Sequence, residues 1–435
     1  MERAKTGSTS CKKNKVNLQK QLQQLAVKVM NPREISIHDF TYNLPEERIA
    51  KFPPERRDDA RLLIYQNGSI SEDVFNQIDN HLPANSLLVF NNSKVVEARL
   101  LFQKPTGGIV EIFCLEPHEM YGDITNGMLQ TGKVLWKCLI GGAGKWKHGQ
   151  VLQKQIESGG ESLLLEACYL EKLPDCFIIE LSWNPVHYSF AEILHRVGLI
   201  PLPPYIKRIP DKSDSLRYQT VYAKEDGSVA APTAGLHFTL ELLNKLLHKN
   251  THQAFVSLHV GAGTFKPVKS DTMNKHEMHA EFIHVTQGTI EQLLKYGGNI
   301  FAIGTTSLRT LESIYWMGIK TKIYPNLSES KLSIGQWEAY DYTSEISALQ
   351  SMESLLDWML KNKKKEIITK TSILIAPGYK VKMITGLVTN FHQPRSTLLL
   401  LVAALIGDDW RKVYNYALEN GFRFLSYGDG CLLKL

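Results

Sequence analysis

Four polar, glycine-rich segments interrupt an otherwise apolar chain, and together they hold the side chains able to move protons or grip a ligand. They are AAPTAGLHF (Ala230 to Phe238), LHVGAGTFKPV (Leu258 to Val268) with HEMHAE (His276 to Glu281) soon after, IGTTSLRTLES (Ile303 to Ser313), and a last stretch from VTNFHQPRSTL (Val388 to Leu398) to SYGDG (Ser426 to Gly430). Polar loops fixed by a rigid scaffold are where binding and catalytic groups collect. His237, His259, His279 and His392 fall inside these segments, and imidazole titrates close enough to neutrality to give or take a proton. Asp429 adds a carboxylate. Thr233, Gly235, Gly261, Gly263, Thr264, Thr305, Thr306, Ser307, Asn390 and Tyr427 add hydroxyls, an amide and points of close backbone approach, the groups that line a small-molecule site.

Other readings of the same residues are weaker. Gly261-Ala262-Gly263 follows a strand, but a dinucleotide fingerprint needs a third glycine and a helix, and Pro267 argues against an immediate helix. Gly304-Thr305-Thr306 stands between a strand and a helix, where free N–H groups and the positive dipole end suit a carboxylate or a phosphate. Arg309 lies one turn further on, while a threonine capping the helix without any ligand explains the same residues. His276, His279 and Glu281 do not have the H-E-x-x-H spacing and no second ligand cluster accompanies them, so no metal is expected.

Positioning these segments requires an α/β core. LLVF (Leu87 to Phe90) reads as a short buried strand leading into NNSKVVEAR (Asn91 to Arg99). AFVSLHV (Ala254 to Val260), NIFAIG (Asn299 to Gly304) and SILIA (Ser372 to Ala376) read as strands separated by helical segments. Ser189 starts a helix, FAEILHRV, that stops at Gly198, and Thr239 caps LELLNKLLHK. Between Leu100 and Ser182 the texture changes to short β-type runs with Gly-rich turns, the signature of a small β-barrel or sandwich. The organisation expected is a basic, disordered extension over 1–33 and a mixed α/β domain over 34–99 and 183–435. That domain carries an elaboration at 322–371, packed as a helix on the core, and residues 100–182 form an inserted domain.

Composition narrows the class. The net charge of +6 is misleading, because residues 1–33 carry eight basic side chains against one acid, leaving the rest of the chain near −1. Any nucleic-acid surface on the body is therefore a local patch. The tail reads either as a solubilising extension or as an electrostatic arm. The longest apolar run, Leu398 to Ile406, is too short to cross a bilayer, and no secretory signal stands at the N-terminus, so a cytoplasmic protein is expected. Six cysteines without a C-x-x-C pair read as reduced thiols.

These segments, together with YNLPEERIAKFPPERRDDARLL (Tyr42 to Leu63), LLVFNNSKVVEARL, PLPPYI, YQTVYA (Tyr218 to Ala223) and FRFLSYGDG, resemble the S-adenosylmethionine:tRNA ribosyltransferase-isomerase family of queuosine biosynthesis. The resemblance spans almost the whole body. The basic extension and the 322–371 segment fall outside it, Gln393 replaces a usually apolar residue, and Gly430 stands where alanine is commoner. It implies a larger mixed α/β domain with an inserted small antiparallel β-barrel. It also implies transfer of the ribosyl part of S-adenosylmethionine onto 7-aminomethyl-7-deazaguanine at the tRNA wobble position. Isomerisation to the epoxycyclopentanediol then gives epoxyqueuosine-tRNA, releasing adenine and methionine. No metal or redox cofactor is implied; S-adenosylmethionine is a consumed co-substrate.

On that reading His237, His259 and Asp429 carry the proton transfers, with His279 and His392 in reserve. Arg309, as a bidentate fork, and Thr306 hold the methionine carboxylate, and Asn91, Asn92 and Arg99 lie near the RNA or the deazaguanine. The expected partners are the precursor tRNA and the donor, for a protein that is a monomer or a weak homo-oligomer. The rival classes are an S-adenosylmethionine-dependent RNA methyltransferase and a non-enzymatic RNA-binding module.

Overall fold

The structure, a computed structural model, describes residues 31–158, 161–261, 268, 270–342 and 345–435. Among these residues two sheets carry the fold. The larger runs from edge to edge as Glu366–Thr371, Glu281–Thr286, His252–His259, Leu87–Asn91, Ile300–Ile303, Gly386–Asn390, Gly430–Lys434, Arg61–Gln66 and Ser69–Val74. Its four central strands, His252–His259 through Gly386–Asn390, are mutually parallel. Gly430–Lys434 then runs antiparallel to them, with Gly430 opposite Asn390.

Leu87–Asn91 is buried along its whole length. A parallel strand covered on both faces carries an unbroken apolar run rather than an alternation, which is why LLVF looks as it does. Leu87 and Val89 enter one core while Leu88 and Phe90 enter another on the opposite face. The second core is closed by the helix Leu240–His248, whose Leu242, Leu243 and Leu246 turn inward. Thr239 caps that helix by accepting the Leu242 N–H at 3.1 Å. The first core is closed by the helix Thr305–Ile323, buried almost all the way round. Crossing it is Ala348–Lys361, which buries Met352, Leu355 and Met359 of the apolar stripe along with Trp358, while Leu349 of that stripe is exposed.

The 322–371 segment is thus built into the body rather than laid on it. Its last six residues form the edge strand beside Glu281–Thr286. SILIA is not a ladder strand. It is extended and buried, but Ser372 N and Leu374 N donate to the carbonyls of Ile334 and Gln336, so its backbone is satisfied by a neighbouring irregular segment.

The smaller sheet is antiparallel throughout, in the order Arg99–Gln103, Ile109–Pro117, Lys133–Gly141, Phe177–Asn184, Glu161–Lys172 and Val151–Ser158. It curls until its two edge strands approach one another, nearly closing. Alternate residues such as Val134, Trp136 and Cys138 point into its own core. Phe190, Ile193, Leu194 and Val197 of the helix Phe190–Val197 belong to that same core. This unit therefore continues past Ser182 to Val197 in its packing. The described cysteines are free. No helix among the described residues is long and apolar enough to cross a membrane.

Gly318 lets the two crossing helices touch, since a Cβ there would lie 2.1 Å from the Ser351 carbonyl oxygen. Gly318→Ala is expected to destabilise the protein by about 2 kcal/mol or more through forced separation of packed backbones. Gly144→Ala, at a glycine with nothing within 4 Å of the added carbon, should leave the thermal midpoint unchanged.

Candidate active site

Four parallel strands end at the same edge of their sheet, and the crevice outside those carboxyl ends is where open α/β sheets bind ligands. His259 and Asn91 end two of them, Ile303 leads into Gly304, and Asn390 leads into His392. Gly430–Lys434 runs the other way, so the residues that precede it, Ser426 to Asp429, arrive at this edge too. Glu281 opens the antiparallel strand beside His259 and joins them.

Hydrogen bonds sew these ends together. Thr233 Oγ1 donates to Asn390 Oδ1 at 2.9 Å, and Asn390 Nδ2 donates to the Leu425 carbonyl at 3.1 Å. Gly304 N donates to the Val388 carbonyl at 2.8 Å. Gly304 itself has φ +88°, a conformation open to glycine at little cost, and it turns the strand into the helix Thr305–Ile323. No side chain caps that helix, so the positive end of its dipole is left available.

Two adjoining cavities open here, with Ser396 and Leu398 on the wall of both. The larger, about 490 Å³, is lined by Gly261, Ser270, Lys275 to His279, Glu281, Arg309, Ile373 to Ile375 and Leu401. The smaller, about 100 Å³, is lined by Tyr205, Tyr218, Ala230 to Ala234, Gly304 to Thr306 and Thr389 to Gln393. Several polar atoms around them are buried without a partner among the described residues: Thr306 Oγ1, Arg309 Nη2 and Ser270 Oγ. Buried polar atoms are almost always paired in folded proteins. Such a cluster at a cleft marks groups waiting for a ligand.

The acid–base candidates divide by what their polar atoms already do. His237 is stacked on Phe75 with ring centroids 4.6 Å apart, and its Nδ1 and Nε2 face the carbonyls of Ala234 at 3.1 Å and Gly428 at 2.9 Å. Burial lowers its pKa, outweighing the carbonyls that push it up. It joins the first segment to the last, and as a neutral ring it donates to one of these carbonyls and leaves the other nitrogen as a base. Asp429 likewise accepts from Arg61 N, Arg423 N and Arg423 Nη2 at 2.7 to 3.1 Å and fixes the SYGDG turn. His392 lines the smaller cavity, pairs with Thr389 Oγ1 at 2.8 Å, and is pushed down to about 4 by burial. His259, also at about 4 through burial, faces Gly227 and the smaller sheet rather than either cavity. His279 is exposed on the wall of the larger cavity.

The binding candidates divide in the same way. Arg309 ion-pairs with Glu281 and donates Nε to the Ile373 carbonyl, so it offers a ligand one nitrogen, Nη2, and not a bidentate fork. Thr233, Thr305 and Thr306 line the smaller cavity, and Gly261 borders the larger with open space at its Cα. Gly235 instead makes room for Tyr222, whose hydroxyl lies 1.9 Å from where a Cβ would be. Ser307 is sealed, its hydroxyl donating back to Ile303. Tyr427 is buried and donates to Asp214 at 2.9 Å.

Asn91 is fully buried and bonds Leu258 N, Leu258 O and Ser93 N, so it pins strands and has no surface to offer an RNA. Asn92 accepts from Ser257 Oγ at 2.7 Å, and Arg99 sits at the start of the smaller sheet over Phe113. Gly263 and Thr264 lie outside the described residues, as do residues 1–30 of the basic extension. His276, His279 and Glu281 form no group of three metal-binding side chains among the described residues.

Tyr205, Tyr218 and Ser396 line the cavities without having been singled out by type, and Glu281 was weighed only as a metal ligand. Their signal was present in PLPPYI, YQTVYA, HQPRSTL and HEMHAE, but aromatic and serine side chains in loops carry no distinctive chemistry until a cavity gathers them.

A family model described as queuosine biosynthesis protein matches residues 37–433. A protein of Chlorobaculum parvum named S-adenosylmethionine:tRNA ribosyltransferase-isomerase is 36% identical over 404 residues, spanning 92% of this chain and 99% of its own. A solved structure from Thermotoga maritima, described as S-adenosylmethionine tRNA ribosyltransferase, is 29% identical over 91% of this chain and 99% of that one, with a TM-score of 0.42.

Burial of His259 and His392 as neutral rings has a thermodynamic consequence. Each has a folded pKa of about 4 against about 6.5 when unfolded. Between those values the unfolded chain binds more protons, so stability is complete above about pH 6.5 and is lost as pH falls towards 4. Urea unfolding across this window should show a loss of roughly 3 kcal/mol per histidine. His392→Asn should flatten the pH slope by one such contribution whatever it does to stability at pH 7.

Proposed function

The chain belongs to the queuosine biosynthesis protein family, and on that footing we propose that its cleft moves the ribosyl part of S-adenosylmethionine onto 7-aminomethyl-7-deazaguanine of tRNA and isomerises it. Epoxyqueuosine-tRNA, adenine and methionine are the products. The observation that carries this reading is the convergence of all four polar segments on one sheet edge, beside two adjoining cavities with buried donors unpaired among the described residues. Two adjoining cavities suit a reaction that joins two substrates.

The chemistry makes three demands. A base must remove a proton from the carbon beside the sulfonium, adenine must be protonated or strongly hydrogen-bonded as it leaves, and the attacking amine must lose a proton. Each transfer is worth about a hundred- to ten-thousand-fold in rate. His392, kept neutral by burial and lining the smaller cavity with Thr306 and Asn390, is assigned to the donor. His279, on the wall of the larger cavity opposite Arg309, is assigned to the amine. His237 and Asp429 hold the edge in shape, and His259 faces the junction with the smaller sheet. The uncapped helix start at Thr305, Thr306 Oγ1 and Arg309 Nη2 are assigned to the methionine carboxylate, since each is a donor without a partner among the described residues.

The finer points of the reading follow from the same chemistry. No oxidant or reductant enters the exchange, so it needs no redox cofactor; S-adenosylmethionine is consumed as co-substrate, and no metal is assigned a role. Its smaller sheet acts as an inserted β-barrel beside the catalytic body. The substrate tRNA lies across the junction, with Asn92 and Arg99 beside it and the target base extruded from its stack. The protein acts in the cytoplasm as a monomer or weak homo-oligomer.

Mass spectrometry of a reaction with S-adenosylmethionine and precursor-bearing tRNA is expected to show adenine and methionine in equal amounts. S-adenosylhomocysteine would mean methyl transfer, and no small product would mean RNA binding alone. Within this reaction His279→Ala and His392→Asn should each lower kcat by about a hundredfold or more while changing the KM for tRNA little.

A further inference from the structure

The segment 45–59 packs beside the segment 203–219 and leaves one aromatic ring in an unusual setting. Phe52 is 54% exposed, yet one face of its ring lies 4.2 Å from the guanidinium carbon of Arg208. That guanidinium is not a floppy surface group. Its Nη1 and Nη2 fork onto the two carboxylate oxygens of Asp214 at 2.6 and 2.7 Å, and its Nε donates to the Lys51 carbonyl at 3.0 Å. Asp214 is itself buried, and it accepts the Tyr427 hydroxyl at 2.9 Å and Asp211 N at 2.8 Å. The pairing with Arg208 and these donors outweigh the cost of burying it and keep its carboxyl below the usual range.

A continuous chain, Phe52 to Arg208 to Asp214 to Tyr427, therefore runs from an exposed ring to the SYGDG turn. Ser426, the next residue of that turn, lines the smaller cavity and pairs with Tyr205 at 2.6 Å. A ring held flat from behind by a fixed cation and open in front presents a stacking surface, and its distance from the catalytic edge is set by hydrogen bonds rather than by a flexible arm.

Resting on the tRNA reading above, we propose that Phe52 is a stacking platform for an unpaired base of the anticodon loop, braced by Arg208 and positioned through Asp214. Single-stranded RNA is recognised largely by stacking of splayed bases on aromatic faces. Charge around the ring is mixed, with Lys51 and Arg56 exposed beside Glu55 and Asp59. The ring face, not net charge, supplies the recognition, and this separates the platform from an electrostatic patch. A second copy of this chain seated on Phe52 is the rival occupant.

The test compares Phe52→Ala, Phe52→Leu and Phe52→Tyr in steady-state assays of adenine release, with anticodon stem-loop affinity measured at several salt concentrations. Phe52→Ala and Phe52→Leu should each raise the KM for tRNA about tenfold with kcat and the KM for S-adenosylmethionine changed less than twofold, and Phe52→Tyr should restore it. The salt dependence of affinity should keep its slope, because no phosphate contact is removed. An unchanged tRNA KM in Phe52→Ala overturns the platform, as does normal behaviour of Phe52→Leu, which would mean simple apolar contact. A concentration-dependent dimer lost in Phe52→Ala would assign the ring to a second copy. If the unaltered protein releases no adenine, the reaction reading fails instead, and stem-loop binding still reports on Phe52.

Discussion

Four neighbouring strands that run the same way must all end at the same edge, and everything at the site follows from that constraint. His252–His259, Leu87–Asn91, Ile300–Ile303 and Gly386–Asn390 are separated by long stretches of chain, yet their parallel pairing leaves their last residues side by side. The two flanking strands run the opposite way, so their first residues reach the same edge, which adds Glu281 and the SYGDG turn. No single loop builds this cleft. It is assembled by strand direction.

A second constraint stiffens the edge. Arg309 and Glu281 are both buried and paired to one another, tying the helix Thr305–Ile323 to an outer strand of the sheet. Breaking a buried pair by removing one partner costs about 3–5 kcal/mol, because the remaining charge is left without compensation. The pair therefore fixes how far the helix start can drift from the strand ends. Gly318 acts at the far end of the same helix, where close contact with Ala348–Lys361 leaves no slack along its axis. The donors at Thr305 and Thr306 are thus held from both directions.

Much of this was legible in the sequence, and the parts that were not share a cause. LLVF announced a two-sided strand, Ser189 and Thr239 announced helix starts, and the change in texture near Leu100 announced a second sheet. These signals are local, because burial pattern and capping are written within a few residues. SILIA was misread because a buried extended segment has the same composition whether its backbone bonds a strand or an irregular neighbour. The four loop histidines were indistinguishable by type and context. Only the folded chain shows that His237 is buried between two carbonyls, while His279 is exposed on a cavity wall. Arg309 presented itself as a free fork because its partner is 28 positions away.

The division between spent and unspent polar atoms is what lets one edge be both rigid and reactive. Asp429 and Asn91 have saturated themselves within the protein, His237 donates to one of the two carbonyls it faces, and each of these bonds fixes the relative position of two segments. Thr306 Oγ1, Arg309 Nη2 and Ser270 Oγ have no partner among the described residues. A buried donor without a partner costs roughly 1–3 kcal/mol. A ligand that supplies acceptors recovers it on binding without having to order the groups that receive them. Pairing those donors internally would make a more stable protein with a less receptive cleft, so local instability here is a property of a binding site rather than a flaw in the fold. The saturated residues make that arrangement possible, since unpaired donors hold their aim only when their neighbours cannot move.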